Sequence, residues 1–306
     1  MRHFSILILL VLMGTCNYAL GQIKDSDKGQ FSGNLLLTYQ KYVRDDSIGA
    51  NTKVYKENTA SADAWLFMQY RIKGYSFVLR YDAFNNSPLL DPQSAYTNHG
   101  IGFWQINKNI DKLDITMGSF YDQFGTGILF RAYEQRQIGI DYAIQGMRLK
   151  YNLNDKWAIK GFAGNQKGNI KNRFGFANQV ISGLNIEGNL GLGADSKFGD
   201  LQVGASVVNR TLDRETMDRL VSTINTYELA DRFYPKYNVY GGNAYLTYTK
   251  DNFSWTVEGN VKSKEAIMED DSKFHLTGGK VLYTSMSWGK GGWNLGKQTA
   301  SIGLNV

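Results

Sequence analysis

In the stretch YSFVLRYDA, residues 75–83, apolar and polar side chains take turns. Tyr75, Phe77, Leu79, Tyr81 and Ala83 share one face, while Ser76, Arg80 and Asp82 share the other. Successive side chains of a β-strand point to opposite faces, so a period of two predicts a strand with one greasy and one wet side. LDITM (113–117) and FSWTVEGNVK (253–262) repeat the pattern. Thirteen such segments are expected, at 30–44, 61–73, 75–86, 99–109, 112–120, 139–152, 155–164, 180–192, 200–210, 237–250, 252–263, 278–289 and 293–305.

The connections between them alternate in length. Short ones are expected at Lys73-Gly74, Ile110-Asp111, around Asn154, at Asp195–Gly199, at Asp251 and at Gly289–Gly292. Long ones fall at 45–60, 87–98, 121–138, 165–179, 211–236 and 264–277. Transmembrane barrels sort their loops this way, with tight periplasmic turns and long external loops, whereas a soluble sandwich has no reason to. Pro88, Pro92 and Pro235 all lie in long connections, which fits strands that need every backbone donor. Tyr70, Tyr75, Trp157, Tyr248, Phe253, Trp255, Trp288 and Trp293 crowd the strand ends beside the short turns, where an interfacial aromatic girdle would lie. The competing reading of these rings is the core of a sandwich.

Composition agrees with a β-rich chain. The sequence holds 19 Tyr, 16 Phe, 6 Trp and 33 Gly against 3 Pro. No segment after the N-terminus is apolar for long enough to make a membrane helix. The predicted fold class is therefore all-β, an antiparallel meandering transmembrane β-barrel with long external loops. Thirteen strands is an odd count, and the ending SIGLNV lacks a terminal aromatic. Either the chain is cut from a larger barrel, or the count is off by one and the true number is about 12–14, since bacterial barrels usually close on an even number. One external connection should carry a short helix over 213–224. Asp213 is placed to cap it, and Met217, Leu220, Val221 and Ile224 follow helical spacing.

The N-terminus supplies an address. Arg2 and His3 precede an apolar run from Phe4 to Cys16, and the small residues Ala19 and Gly21 follow. This is the layout of a cleaved signal peptide over residues 1–21, leaving 22–306 as the barrel domain, and the apolar run is shorter than the about 20 residues a membrane span needs. Cys16 raises a lipoprotein reading, which Thr15 argues against. Cys16 is also the sole cysteine, so the exported chain has neither disulfides nor thiolate metal sites. The formal net charge of +6 is spread without a Lys/Arg block, which gives no footing for nucleic acid as a partner.

The segment FGTGILFRAYEQRQIGIDY (124–142) breaks the pattern by gathering Arg131, Glu134, Arg136 and Asp141 among apolar residues and glycines. It is too polar to face lipid and too apolar for a solvated tip. The expectation is a loop folded back into the lumen, its charges paired with each other or with the wall. There they either line a constriction that selects solutes or merely pin the loop. With Phe120, Tyr121, Gln123, Phe124, Gly125, Gly127, Tyr133, Gly139, Ala143 and Gly146, the segment resembles an uncharacterised Bacteroidota outer-membrane β-barrel family of unknown function that carries an FGxG…RxYExRxxGxD pattern. Phe130 departs from it, since a second aliphatic residue is common there. The resemblance implies a porin-like or receptor-like barrel and no reaction.

Other chemistry is thin. His99 and His275 lie in or beside separate long connections with no nucleophile segment, so no catalytic site and no metal site is expected. Glu269, Asp270 and Asp271 are consecutive rather than alternating, which suits a solvated tip better than a calcium loop. GNLGLG (188–193) lies among strand residues with no helix after it and is not a nucleotide loop. The sequence thus points to the cell outer membrane and to a non-enzymatic channel or binding barrel for small polar solutes, without cofactors. Its expected partners are outer-membrane lipid, small polar solutes and other envelope proteins. The alternative is a structural or assembly component of a surface or secretion complex.

Overall fold

The computed structural model describes residues 28–305 apart from 50, 52, 54–56, 58, 88–95, 169–171, 191–198 and 296–297. The signal segment, Pro88, Pro92, residues 195–198 of the expected short turn and residues 191–193 of GNLGLG lie outside the described residues, as does the Trp293 side chain. Thirteen strands pair in one antiparallel sheet: β1 (Gln30–Lys41), β2 (Ala60–Ile72), β3 (Tyr75–Ser87), β4 (Tyr96–Ile110) and β5 (Leu113–Phe120), then β10 (Ile144–Asn152), β11 (Trp157–Lys167), β12 (Phe176–Asn189), β13 (Asp200–Thr211), β14 (Asn238–Lys250), β15 (Phe253–Met268), β16 (Phe274–Leu295) and β17 (Gln298–Asn305). Each strand pairs with its sequence neighbours in the sheet, so the fold is a meander with β1 and β17 at its two ends. Short strands β6 (Asp122–Phe124), β7 (Phe130–Ala132), β8 (Glu134–Gln135) and β9 (Ile140–Asp141) form two separate hairpins inside the 121–143 connection.

The alternating segments are strands at the expected places, and from β2 to β15 most of their faces are sorted as the pattern requires, whereas β1 is exposed on both faces. On β3, Arg80 and Asp82 are buried while Tyr75, Phe77 and Tyr81 on the opposite face are exposed. On β15, Glu258 and Asn260 are buried while Trp255 and Val261 are exposed. Asn185, Ser206 and Asn243 continue the buried polar face across β12 to β14, and Leu184, Ile186, Val207 and Tyr240 continue the exposed one. Near the short turns, Tyr70, Tyr75 and Trp288 are exposed rings, with Tyr75 stacked on Phe77 at 6.0 Å. On these strands the inward positions are polar and the outward ones apolar.

The sheet curls toward its polar face. The 121–143 insert touches Arg80 on β3 through Glu134 and Glu258 on β15 through Thr126. In a flat sheet those strands stand eight spacings apart, about 38 Å at 4.8 Å each. Thr126 and Glu134 are eight residues apart, a reach of about 28 Å at full extension, and the chain between them is folded. Only a wall bent round the insert allows both contacts.

Several boundaries shift by up to four residues, as where β11 and β12 shorten the 165–179 connection to 168–175, and three departures are larger. The Gly289–Gly292 cluster is not a turn, because β16 runs through it with a register shift between Lys290 and Trp293. The glycines mark an irregularity in the ladder, the other use of glycine in strands. β15 and β16 extend into the 264–277 connection and leave a tight reversal at 269–273. The 139–152 segment splits into β9 and β10, with Gly139 in the left-handed region at φ 68° ending a 3₁₀ turn at Arg136–Ile138.

The helix is α1 (Arg214–Ile224), capped by Asp213, which accepts from the Thr216 N–H at 2.9 Å. That bond, followed by one from the Thr216 hydroxyl, holds the Asp213 carboxyl below its ordinary range. Met217, Leu220 and Ile224 are buried and Val221 is exposed.

A compact apolar core lies inside the curl, between the insert and the wall. It joins Phe120, Phe124, Phe130, Ala132, Ile144 and Phe162, with Ile181 and Val208 packed against it. The Phe130 and Phe162 rings stack at 4.4 Å, and Phe124 meets them at 5.2 and 5.6 Å. Each fully buried Phe contributes roughly 1.5–3 kcal/mol. Gly183 on β12 makes room for them: a Cβ there would lie 2.6 Å from Phe162 and 2.8 Å from Phe124. Gly183→Ala is expected to lower stability by about 1–3 kcal/mol, the usual cost of overpacking, as measured by chemical unfolding; a loss below about 0.5 kcal/mol, the range of unremarkable surface changes, would mean that the rings give way.

Candidate functional site

The sharpest concentration of buried charge sits where the insert meets β3, β4 and β11. Arg80 is 2% exposed and surrounded by carboxylates. Its Nε and Nη2 donate to both oxygens of Asp82 at 2.7 and 3.0 Å, a bidentate pair two residues along the same face of β3. Its Nη1 donates to Glu134 at 2.7 Å and its Nη2 to Asp141 at 3.0 Å. The insert therefore delivers two carboxylates to one wall guanidinium.

Each of those carboxylates has further partners. Asp141 accepts from Lys167 Nζ at 2.6 Å and from the Tyr121 hydroxyl at 2.9 Å. Lys167 also donates to the Gly102 carbonyl on β4. Glu134 accepts from Arg136 Nε at 3.1 Å. Arg173 adds a fourth cation: its Nη1 reaches the Gly139 carbonyl at 3.2 Å, its Nε lies 4.0 Å from Asp82, and its guanidinium stands 4.6 Å from the Phe84 ring centre. Gly102 is small because Asp82 lies against it, and a Cβ there would fall 2.0 Å from the carboxylate.

Of the four charged residues picked out in the sequence, the structure brings Glu134, Arg136 and Asp141 into this network. Arg131 stands apart: it is exposed, its guanidinium lies 4.4 Å from the Tyr133 ring centre, and it has no ion pair among the described residues. Sequence reasoning missed the wall partners. Arg80 and Asp82 had a visible signal, two opposite charges on the polar face of one strand. Lys167 and Arg173 had none, because they lie at or beyond the end of β11 and reach the site only through the fold.

The other conspicuous residues of the segment also have structural duties. Phe120 and Phe124 belong to the apolar core. Gly125 has a φ of 55° and lies so close to Glu258 that a Cβ would fall 2.6 Å from its carboxylate. Tyr133 and Tyr142 pack edge to face at 5.7 Å, and Tyr142 N–H donates to the Tyr133 carbonyl. Gly146 leaves no space for a side chain, since a Cβ would lie 2.0 Å from the Ala163 carbonyl oxygen.

Away from the network, His99 pairs with the Tyr81 hydroxyl at 2.7 Å and His275 with Asp271 at 2.9 Å. Among the described residues no three His, Cys, Asp or Glu side chains gather at metal spacing. Below the insert, toward the short turns, a cavity of about 710 Å³ is lined by Gln69, Arg71, Ser76, Gln105 and Asn107 among others.

Fold and site together define a curled all-β antiparallel wall whose polar inner face is held to an internal insert by buried ion pairs. The chain belongs to a family of unknown function, DUF6029, whose family model covers residues 1–302. No curated protein matches it.

Removing Arg80 takes a guanidinium from three carboxylates at once and leaves buried Asp82 with only the Arg173 Nε at 4.0 Å. Arg80→Met is expected to destabilise the protein by about 3–5 kcal/mol, while Arg131→Ala should change stability by less than about 0.5 kcal/mol. Parallel thermal or denaturant melts of the two variants check this, and similar losses in both would refute the assignment.

Proposed function

We propose that this protein is a non-enzymatic outer-membrane β-barrel, exported by a cleaved signal peptide, with its bore occupied by its own 121–143 segment. It acts as a binding barrel for small polar solutes rather than as an open pore. The observation that carries this reading is the inverted sorting of faces: Leu184, Val207 and Val261 are exposed while Arg80, Asp82 and Glu258 are buried. An apolar exterior suits hydrocarbon, and the unbroken pairing from β1 through β17 suits a medium that cannot satisfy backbone groups. The exposed rings near the short turns fit a headgroup-level girdle. The motif resemblance adds Bacteroidota envelopes as the setting.

Two features favour binding over free conduction. The Phe core and the Arg80 network fill the middle of the bore with packed, ion-paired side chains, which pin the segment instead of lining a passage. The cavity toward the short turns is rich in amides and hydroxyls, the groups that recognise small polar molecules.

Two measurements test the reading. Val207→Arg places a charge at mid-strand on the apolar face, and in a bilayer it should cost about 2–4 kcal/mol; a cost below about 0.5 kcal/mol, typical of water-exposed sites, would remove the membrane reading. In planar bilayers the wild-type protein is expected to show no steady conductance, and Arg80→Met, which frees one end of the insert, should show frequent openings. A large steady wild-type conductance would establish an open pore instead.

A further inference from the structure

Glu258 on β15 is fully buried, and no Lys or Arg among the described residues pairs with it. Its carboxylate accepts the Thr126 backbone N–H at 2.6 Å and Asn243 Nδ2 at 2.8 Å. Both donors are neutral. The buried carboxylates Asp82 and Asp141, by contrast, each face at least one cation. A charge out of water is tolerated when it is paired or coordinates an ion.

The neighbours of Glu258 are unusual in the same way. Asn260 lies two residues further along the same face of β15, and Asn243 stands directly across the ladder from Asn260. They are 7% and 8% exposed. Both polar atoms of Asn260, the Asn243 Oδ1 and the Thr126 Oγ1 are buried without a protein hydrogen-bond partner. Glu258 touches Thr126 and Asn243 directly and Asn260 faces Asn243 across the ladder, so one negative charge and three unpartnered oxygens are neighbours where the tip of the insert meets the wall. Gly125 lets the backbone approach there, because any Cβ would collide with Glu258.

We propose that Glu258, Asn243, Asn260 and Thr126 form a binding site for a monovalent alkali cation that fastens the insert to the wall. Every donor is a hard oxygen, which suits alkali and alkaline-earth ions and not zinc or copper. A single carboxylate balances one positive charge, whereas a divalent ion would leave a net charge buried. The site lies on β14, β15 and the insert tip, separate from the Arg80 network at the insert's other end.

The test is thermal unfolding of the purified protein in NaCl against choline chloride at equal ionic strength, with sodium NMR line broadening as the direct readout of binding. Sodium is expected to raise the melting temperature to a plateau that choline does not produce. At a hundredfold excess over its dissociation constant, the folded-to-unfolded ratio should rise about 100-fold. Glu258→Gln should abolish the sodium increment and the broadening, and so should Asn260→Leu, which keeps the carboxylate and serves if the first variant does not fold. Equal melting in the two salts, an increment that survives both substitutions, or stabilisation by calcium alone would overturn the assignment. The result does not depend on where the protein resides or on what its cavity holds.

Discussion

The Arg80 guanidinium donates to three carboxylates, one from its own strand and two from the insert, and the interior is organised by the need to keep that group neutralised. A buried cation at this depth tolerates no loss of partners. The insert must therefore return to β3 with Glu134 and Asp141 in fixed positions, and Lys167 and Arg136 must follow to offset the acids it brings. Charge neutrality here acts as a positional constraint. It sets where a segment without long strands of its own can sit.

The apolar core completes what the ions begin. Phe124 and Phe130 come from the insert, Phe120 from β5 and Phe162 from β11, and they interlock on the inner face of a wall that is largely polar. The protein thus keeps a small water-excluding core within a polar interior, while its broad apolar surface lies outside. The two are never in competition, because alternation along each strand assigns them to opposite faces.

That alternation is why so much of the fold was legible in the sequence. A period of two, broken by turns, located all thirteen long strands, and the Asp213 cap with its apolar spacing located α1 to within a residue. What failed was local punctuation with two meanings: Gly289–Gly292 reads as a turn, yet the same residues serve as an irregularity within β16. The site was half legible for a different reason. Glu134, Arg136 and Asp141 stand out because charge is rare among apolar neighbours, but Arg131 stands out equally and lies on the surface over Tyr133. Lys167 and Arg173 carry no local mark, since their role comes from strand order and curvature.

The β5–β10 pairing carries its own consequence. Phe120 sits opposite Ile144, and the ladder between these strands continues as though the 121–143 excursion did not exist. The wall's register is complete without the insert, which makes the insert a cassette rather than a strut. Closing a longer loop between the same two strands costs only about 0.6 kcal/mol per doubling of its length. Length can therefore be added to the insert at little cost to the wall, provided that Glu134 and Asp141 still return to Arg80.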